Sequence, residues 1–158
     1  MPAWVDITNK EKLSSLLSKL SPDTLPLWGR LKAQNMIEHL IEAVEHTNGK
    51  RTGILKVTDE EAAREKKSKV TPEFEIPLNV KGPLPDNSGC NRFSDLPTAI
   101  NELKKEIEAF KLSFDAKDKT ATHGAFGPMN YEEWLLWHGK HFGHHFKQFG
   151  ILGNESIS

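Results

Sequence analysis

Between Lys10 and Leu20 the apolar residues Leu13, Leu16, Leu17 and Leu20 recur at helical spacing with polar residues between them, which predicts a first amphipathic helix. Ser21-Pro22-Asp23 ends it, because the residue before a proline is pushed out of the helical region. After Pro26-Leu27-Trp28-Gly29, a second segment from Lys32 to Thr47 gathers Met36, Ile37, Leu40, Ala43 and Val44 on one face, and Asn48-Gly49 supplies its stop. A third stripe is the clearest: Ile100, Leu103, Ile107, Phe110 and Phe114 lie opposite Glu102, Lys104, Lys105 and Glu108. A fourth helix starts at Asn130, an N-cap with Glu133 at the capping-box position, and runs to Phe149 before Gly150.

The stretch from Lys50 to Asp95 is the least regular. Thr58 followed by Glu61 resembles a capping box for a short helix over Asp59 to Lys69. Beyond it come Pro72, Pro77, Pro83 and Pro85 with Gly82 and Gly89, which reads as a long crossing connection with brief extended pieces such as Phe74-Glu75-Ile76. Lys117 to Pro128 reads as a loop. No repeat and no alternation of strands with helices is visible. The expected fold is all-α: one domain over residues 1–158, in which four helices bury their stripes as a bundle with the long connection between the second and third.

Composition changes this picture little. A chain of 158 residues can close a core without disulfides or structural metal. Lys plus Arg number 21 against 22 Asp plus Glu, so there is no basic field of the kind nucleic-acid binding rests on. Arg64 to Lys69 is a short basic stretch that a solvated helix face explains. No apolar run approaches the roughly 20 residues that span a bilayer. The opening Met-Pro-Ala-Trp-Val-Asp lacks the basic and apolar regions of a secretory signal, and the single Cys90 cannot pair internally, so a cytoplasmic home is expected. Trp4 and Trp28, near helix ends, are candidates for a homodimer contact, although packing within the chain is the commoner use of such residues.

Histidine does change it. Of seven in the chain, His138, His141, His144 and His145 crowd one segment of the fourth helix. At about 100° per residue, Trp134, His138, His141, His145 and Gln148 fall in one narrow sector, with Trp137 at its margin and His144 about 80° away. His141 and His145 form an i, i+4 pair whose rings can converge on one ion at about 2.0–2.1 Å each. Two readings of this face stand side by side: imidazoles gathered round a divalent metal, or an aromatic core face whose histidines hydrogen-bond locally. The metal needs a third ligand from another helix. His39, beside Met36, Leu40 and Ala43, is the best placed; His123 and His138 compete, and His46 reads as an exposed helix-end residue.

The segments His123-Gly-Ala-Phe-Gly-Pro-Met-Asn-Tyr-Glu-Glu-Trp134 and Lys140-His-Phe-Gly-His-His-Phe-Lys-Gln-Phe-Gly150 resemble the C-terminal signature of DinB-like proteins of the DUF1569 type. Trp28-Gly29 followed by Met36-Ile37-Glu38-His39-Leu40 is similar to that family's first motif. Gly124 stands where proline is common there, a departure that touches no ligand. The resemblance implies an up-down-down-up four-helix bundle and a three-histidine metal site, mapping to His39, His141 and His145. Related proteins include thiol-dependent transferases and metal-dependent hydrolases, so the fold alone fixes no substrate.

Such a site suits a divalent ion, zinc or nickel first and manganese or iron as alternatives. The expected function is metal-dependent chemistry on a small molecule, by hydrolysis or by transfer to a thiol, with a non-catalytic metal- or ligand-binding bundle as the alternative. No general base is obvious, since Glu38 and Glu42 point away from the His39 side. His138 is a candidate proton shuttle, and Gln148, one turn beyond His145, a candidate for orienting a water or a ligand imidazole. Cys90, in the Pro/Gly-rich connection, reads as an incidental thiol.

Overall fold

The structure is a computed structural model that describes residues 2–78, 91–116 and 118–152. Cys90 and the middle of the Pro/Gly-rich connection, for which an incidental thiol and a crossing loop are expected, lie outside the described residues. The chain is mostly helical: α1 spans Lys10–Leu17, α2 Ala33–Glu45, α3 Asp59–Lys69, α4 Leu96–Ser113 and α5 Tyr131–Gln148, joined by one small hairpin. Among the described residues no helix is long and apolar enough to cross a membrane.

Capping residues set the starts. Asn9, Thr58 and Asp95 each accept a backbone N–H from the first turn of α1, α3 and α4. Asn130 and Glu133 close a full capping box on α5, side chain to backbone in both directions at 3.0 Å. In α3 the acids Asp59, Glu60 and Glu61 fill the first turn and Lys66, Lys67 and Lys69 the last turn, matching the helix dipole. That helix buries only Ala62, so its charges and cap favour it more than packing does. The first helix is shorter than its leucine stripe suggests: Lys19 and Leu20 donate backwards to Leu16 and Leu17, tightening the chain before Pro22 while Leu20 stays buried.

Helix α2 is the centre of the core. Met36, Ile37, Leu40, Ile41 and Val44 are fully enclosed, packing with Leu103, Ile107 and Phe110 of α4 and with Phe142 and Phe146 of α5. The loop expected before the last helix is instead a hairpin, with β1 Ala121–His123 antiparallel to β2 Gly127–Met129 and His123 opposite Gly127. Three-residue strands are too short to show a period, and Gly127 at φ +77° supplies the left-handed corner. Phe74 to Ile76, expected as a brief extended piece, is irregular and pairs with no strand.

The far end of the connection is fastened to α2. The buried Glu38 carboxylate accepts the backbone N–H groups of Arg92 and Phe93 at 2.8 and 2.9 Å and an amide N–H of Gln34 at 3.0 Å. One turn and more along, Glu45 takes a two-pronged contact from the Arg92 guanidinium, at 2.9 and 2.8 Å, and a third from Arg51. Burial works against the Glu45 charge, but hydrogen bonds from Arg92 and Arg51 outweigh it and hold its pKa at about 2. Replacing Glu38 by Gln keeps the shape but puts an amide N–H against a backbone N–H. The expected loss is about 1–2 kcal/mol of unfolding free energy, read from urea midpoints; a neutral result would show that the carboxylate is not what secures the segment.

The start of the chain crosses α5. Val5 N–H donates to the Gly139 carbonyl at 3.1 Å, and the Trp4 indole N–H donates to the Leu136 carbonyl at 3.2 Å. Trp4 is therefore packed on its own chain's last helix, in place of the intermolecular contact for which it is a candidate. Val5 and Ile7 behind it are 1% exposed. The crossing is close because α5 carries glycine at both contact points: a Cβ on Gly139 would stand 2.1 Å from the Trp4 indole nitrogen, and one on Gly143 2.6 Å from the Ala3 carbonyl oxygen.

Candidate metal centre

Helix α2 sends His39, and α5 sends His141 and His145, to one point. One ring nitrogen from each lies within 4.8 Å of the others. The Nε2 atoms of His39 and His141 are 3.0 Å apart, and the three ring centroids are separated by 4.9 to 5.1 Å. Ligand nitrogens about 2.0–2.1 Å from a tetrahedral zinc are about 3.3 Å from one another, so small side-chain rotations bring this group to ligand spacing. His39 is buried while His141 and His145 are half-buried, which leaves the group open on one side. Two bare Nε2 lone pairs at 3.0 Å repel each other. The contact therefore requires a proton on one of them or a cation shared by both, and the second is what a metal supplies.

These rings favour the neutral form that a metal needs. Burial lowers the pKa of His145 to about 3, with His39 nearby adding to the effect. Burial also holds His141 well below the ordinary histidine value, reinforced by His145 and His39. Among the described residues no carboxylate joins the group. Glu38 is committed to Arg92 and Phe93, and Glu42 approaches Arg51 at 3.8 Å, both on the other side of α2 as the helical spacing predicts.

The remaining histidines are placed elsewhere. His138, expected as a proton carrier, is 1% exposed, ringed by Phe110, Trp134 and Phe142. Its Nε2 is 3.0 Å from the Thr47 hydroxyl, whose own proton goes to the Val44 carbonyl at 2.7 Å. The hydroxyl must accept, so His138 carries its proton on Nε2 and leaves Nδ1 enclosed without a partner. His123 is not a ligand candidate in space either: its Nδ1 accepts the N–H groups of Ala125 and Phe126 at 2.9 and 3.2 Å and so closes the hairpin. His144 packs edge-on against Trp28 at 5.8 Å. His46 is half-buried where exposure is expected, donating its Nδ1–H to the Glu42 carbonyl at 2.8 Å as α2 ends.

Gln148 sits against the group, its Oε1 2.8 Å from His145 Nδ1. A separate cleft along α5 is lined by Trp28, Phe74, Glu75, Lys140, His144 and Lys147, and none of the three histidines of the group lines it. Lys140 is nearly fully buried there and donates to the Pro72 and Phe74 carbonyls at 3.1 and 2.6 Å, so it fastens the connection along α5. Burial lowers its pKa. Nothing in the sequence pairs Lys140 with Pro72, or Thr47 with His138; both depend on which helices meet. Compared with protein-family models, with curated proteins and with solved structures, the chain matches none.

Proposed function

We propose that this protein is a DinB-like four-helix bundle that holds one divalent metal ion on His39, His141 and His145 and acts on a small molecule, as a metal-dependent hydrolase or a thiol-using transferase. The observation that carries the reading is the convergence of one ring nitrogen from each of these residues, drawn from two helices, within 4.8 Å. The donor set fits: three imidazoles, of which His141 and His145 are held neutral by burial, suit zinc or nickel, and also manganese or iron. An ion so held supplies Lewis-acid chemistry to an ester, an amide or a thiol, with coordination positions to spare.

The chain's own residues define the rest. His39, inside the core edge, fixes the depth of the centre, and His141 and His145 are less deeply enclosed than it is. His138 contributes by locking α5 to Thr47 at the end of α2. With its Nδ1 enclosed and its pKa pushed to about 3 by burial, it is a poor proton carrier near neutral pH. Among the described residues no carboxylate joins the three-histidine group, and this favours a second reading, a non-catalytic ion- or ligand-binding protein.

The test is elemental analysis of untagged protein beside a His141→Ala/His145→Ala variant. About one ion per chain in the parent, lost in the variant, is the expected result. A parent that binds neither zinc, nickel nor manganese after all three are added back overturns the metal centre and the enzyme reading with it.

A further inference from the structure

Both ends of the Gln148 amide are used, and together they decide where the proton of His145 lies. Gln148 is 6% exposed. Its Nε2 donates to the backbone carbonyl of Trp28 at 2.9 Å, a contact between residues 120 apart in the chain. A carbonyl oxygen only accepts, so the amide nitrogen has to lie on the Trp28 side. Oε1 then faces His145 Nδ1 at 2.8 Å and, being an acceptor as well, requires the imidazole proton on Nδ1. The lone pair of His145 is left on Nε2. The segment that dictates this is itself pinned: Leu27 N–H donates to the Gln148 carbonyl at 2.7 Å. Gly29 follows at φ +81°, where an added Cβ would stand 3.0 Å from the Gln148 amide nitrogen.

We propose that Gln148, oriented by the Trp28 carbonyl, is a positioning residue that fixes His145 in its Nδ1–H tautomer and so offers Nε2 to the three-histidine group. The proposal rests on the metal-centre reading for its purpose but not for its geometry. The same logic separates the histidines by use. His138 turns one nitrogen to Thr47 and His123 one to the hairpin turn, both outside the three-histidine group, whereas His145 gives Nδ1 to Gln148 and has Nε2 left for that group.

Two variants test it. Gln148→Met keeps the volume and removes both hydrogen bonds; Gln148→Glu keeps an acceptor for His145 and loses the donor to Trp28. The first readout needs no metal: two-bond ¹H–¹⁵N correlation spectra of the metal-free protein at pH 8 report the tautomer of each imidazole. The expected result is Nδ1–H for His145 in the parent and in Gln148→Glu, and a mixture or Nε2–H in Gln148→Met. The second readout is zinc affinity by competition with a chelating dye. It should fall about 10–100-fold in Gln148→Met and stay near the parent value in Gln148→Glu, as expected for an outer partner of a ligand imidazole. If Gln148 served only to tie down the Trp28 segment, both variants would be equally damaged, and that outcome overturns the proposal. An unchanged His145 tautomer in Gln148→Met overturns it too. A tautomer that shifts as expected in a chain that binds no zinc supports the positioning role and removes the metal reading alone.

Discussion

Lowering the pH from 7 to 4.5 unfolds the metal-free protein, and most of the loss comes below about pH 6. Burial depresses the pKa of His123 to about 4 and of His138 and His145 to about 3, so all three stay neutral in the fold through this range. In the unfolded chain each binds a proton near the ordinary value of about 6.5. The sign follows: depressed folded-state values leave stability intact above about pH 6.5, and it is lost progressively as pH falls toward 4 and 3. Each ring contributes about 1.4 kcal/mol per pH unit once the unfolded chain is protonated, so the three together give a slope of about 4 kcal/mol per unit. Over the two units from about pH 6.5 to 4.5 that comes to about 8 kcal/mol, enough to complete the transition for a protein in the lower half of the usual range of about 5–15 kcal/mol. Glu45, at about 2, keeps its contacts with Arg92 and Arg51 across the whole window and cannot be the cause. Urea midpoints between pH 7.5 and 4.5 give the slope directly. His138→Gln, which retains a donor for Thr47, should lower it by about one proton's worth. A flat profile down to pH 5 would mean that these rings are charged or hydrated in the fold.

Changing Gly139 and Gly143 together to alanine destabilises the protein by about 3 kcal/mol or more, although each change favours helix by about 1 kcal/mol. The added methyl groups would meet the Trp4 indole at 2.1 Å and the Ala3 carbonyl oxygen at 2.6 Å, neither of them the tip of a flexible side chain. The opening segment has to leave, which uncovers Val5 and Ile7 at about 1.5–3 kcal/mol each and breaks the Val5 and Trp4 hydrogen bonds to α5. Thermal or urea unfolding decides it, with Trp4 fluorescence showing whether the indole has moved into water. A more stable double variant would show that helix propensity outweighs the crossing.

The apolar stripes of Met36–Val44 and Ile100–Phe110, the Thr58 cap and the Asn130–Glu133 box were legible because each is a local pattern with a local cause. The three-histidine group was partly legible for the same reason: His141 and His145 share a helix face by spacing alone. His39 was the best-placed third ligand by its position beside the Met36–Ala43 stripe, with His123 and His138 competing, and only the meeting of two helices separates it from them. His138 lies in the same sector as the pair, and spacing cannot reveal that its ring finds Thr47 in the core. The hairpin at 121–129 is too short for a period, and its signal, two glycines flanking Ala125-Phe126 after His123, was spent on a loop. For Trp4 packing within the chain was the commoner reading, but its place on α5 was not legible from Trp4 itself: glycines four apart within α5 mark the face that another backbone approaches closely.

The crossing of the first residues over α5 also bears on how the chain comes off the ribosome. Trp4 has to wait for Leu136, 132 residues later, before its indole finds this acceptor; His39 waits 102 residues for His141. Until α5 emerges, the opening segment lacks the helix it crosses, whereas the apolar face of α2 already has α4 to pack against. Only with α5 in place can the opening segment be seated and the three imidazoles meet.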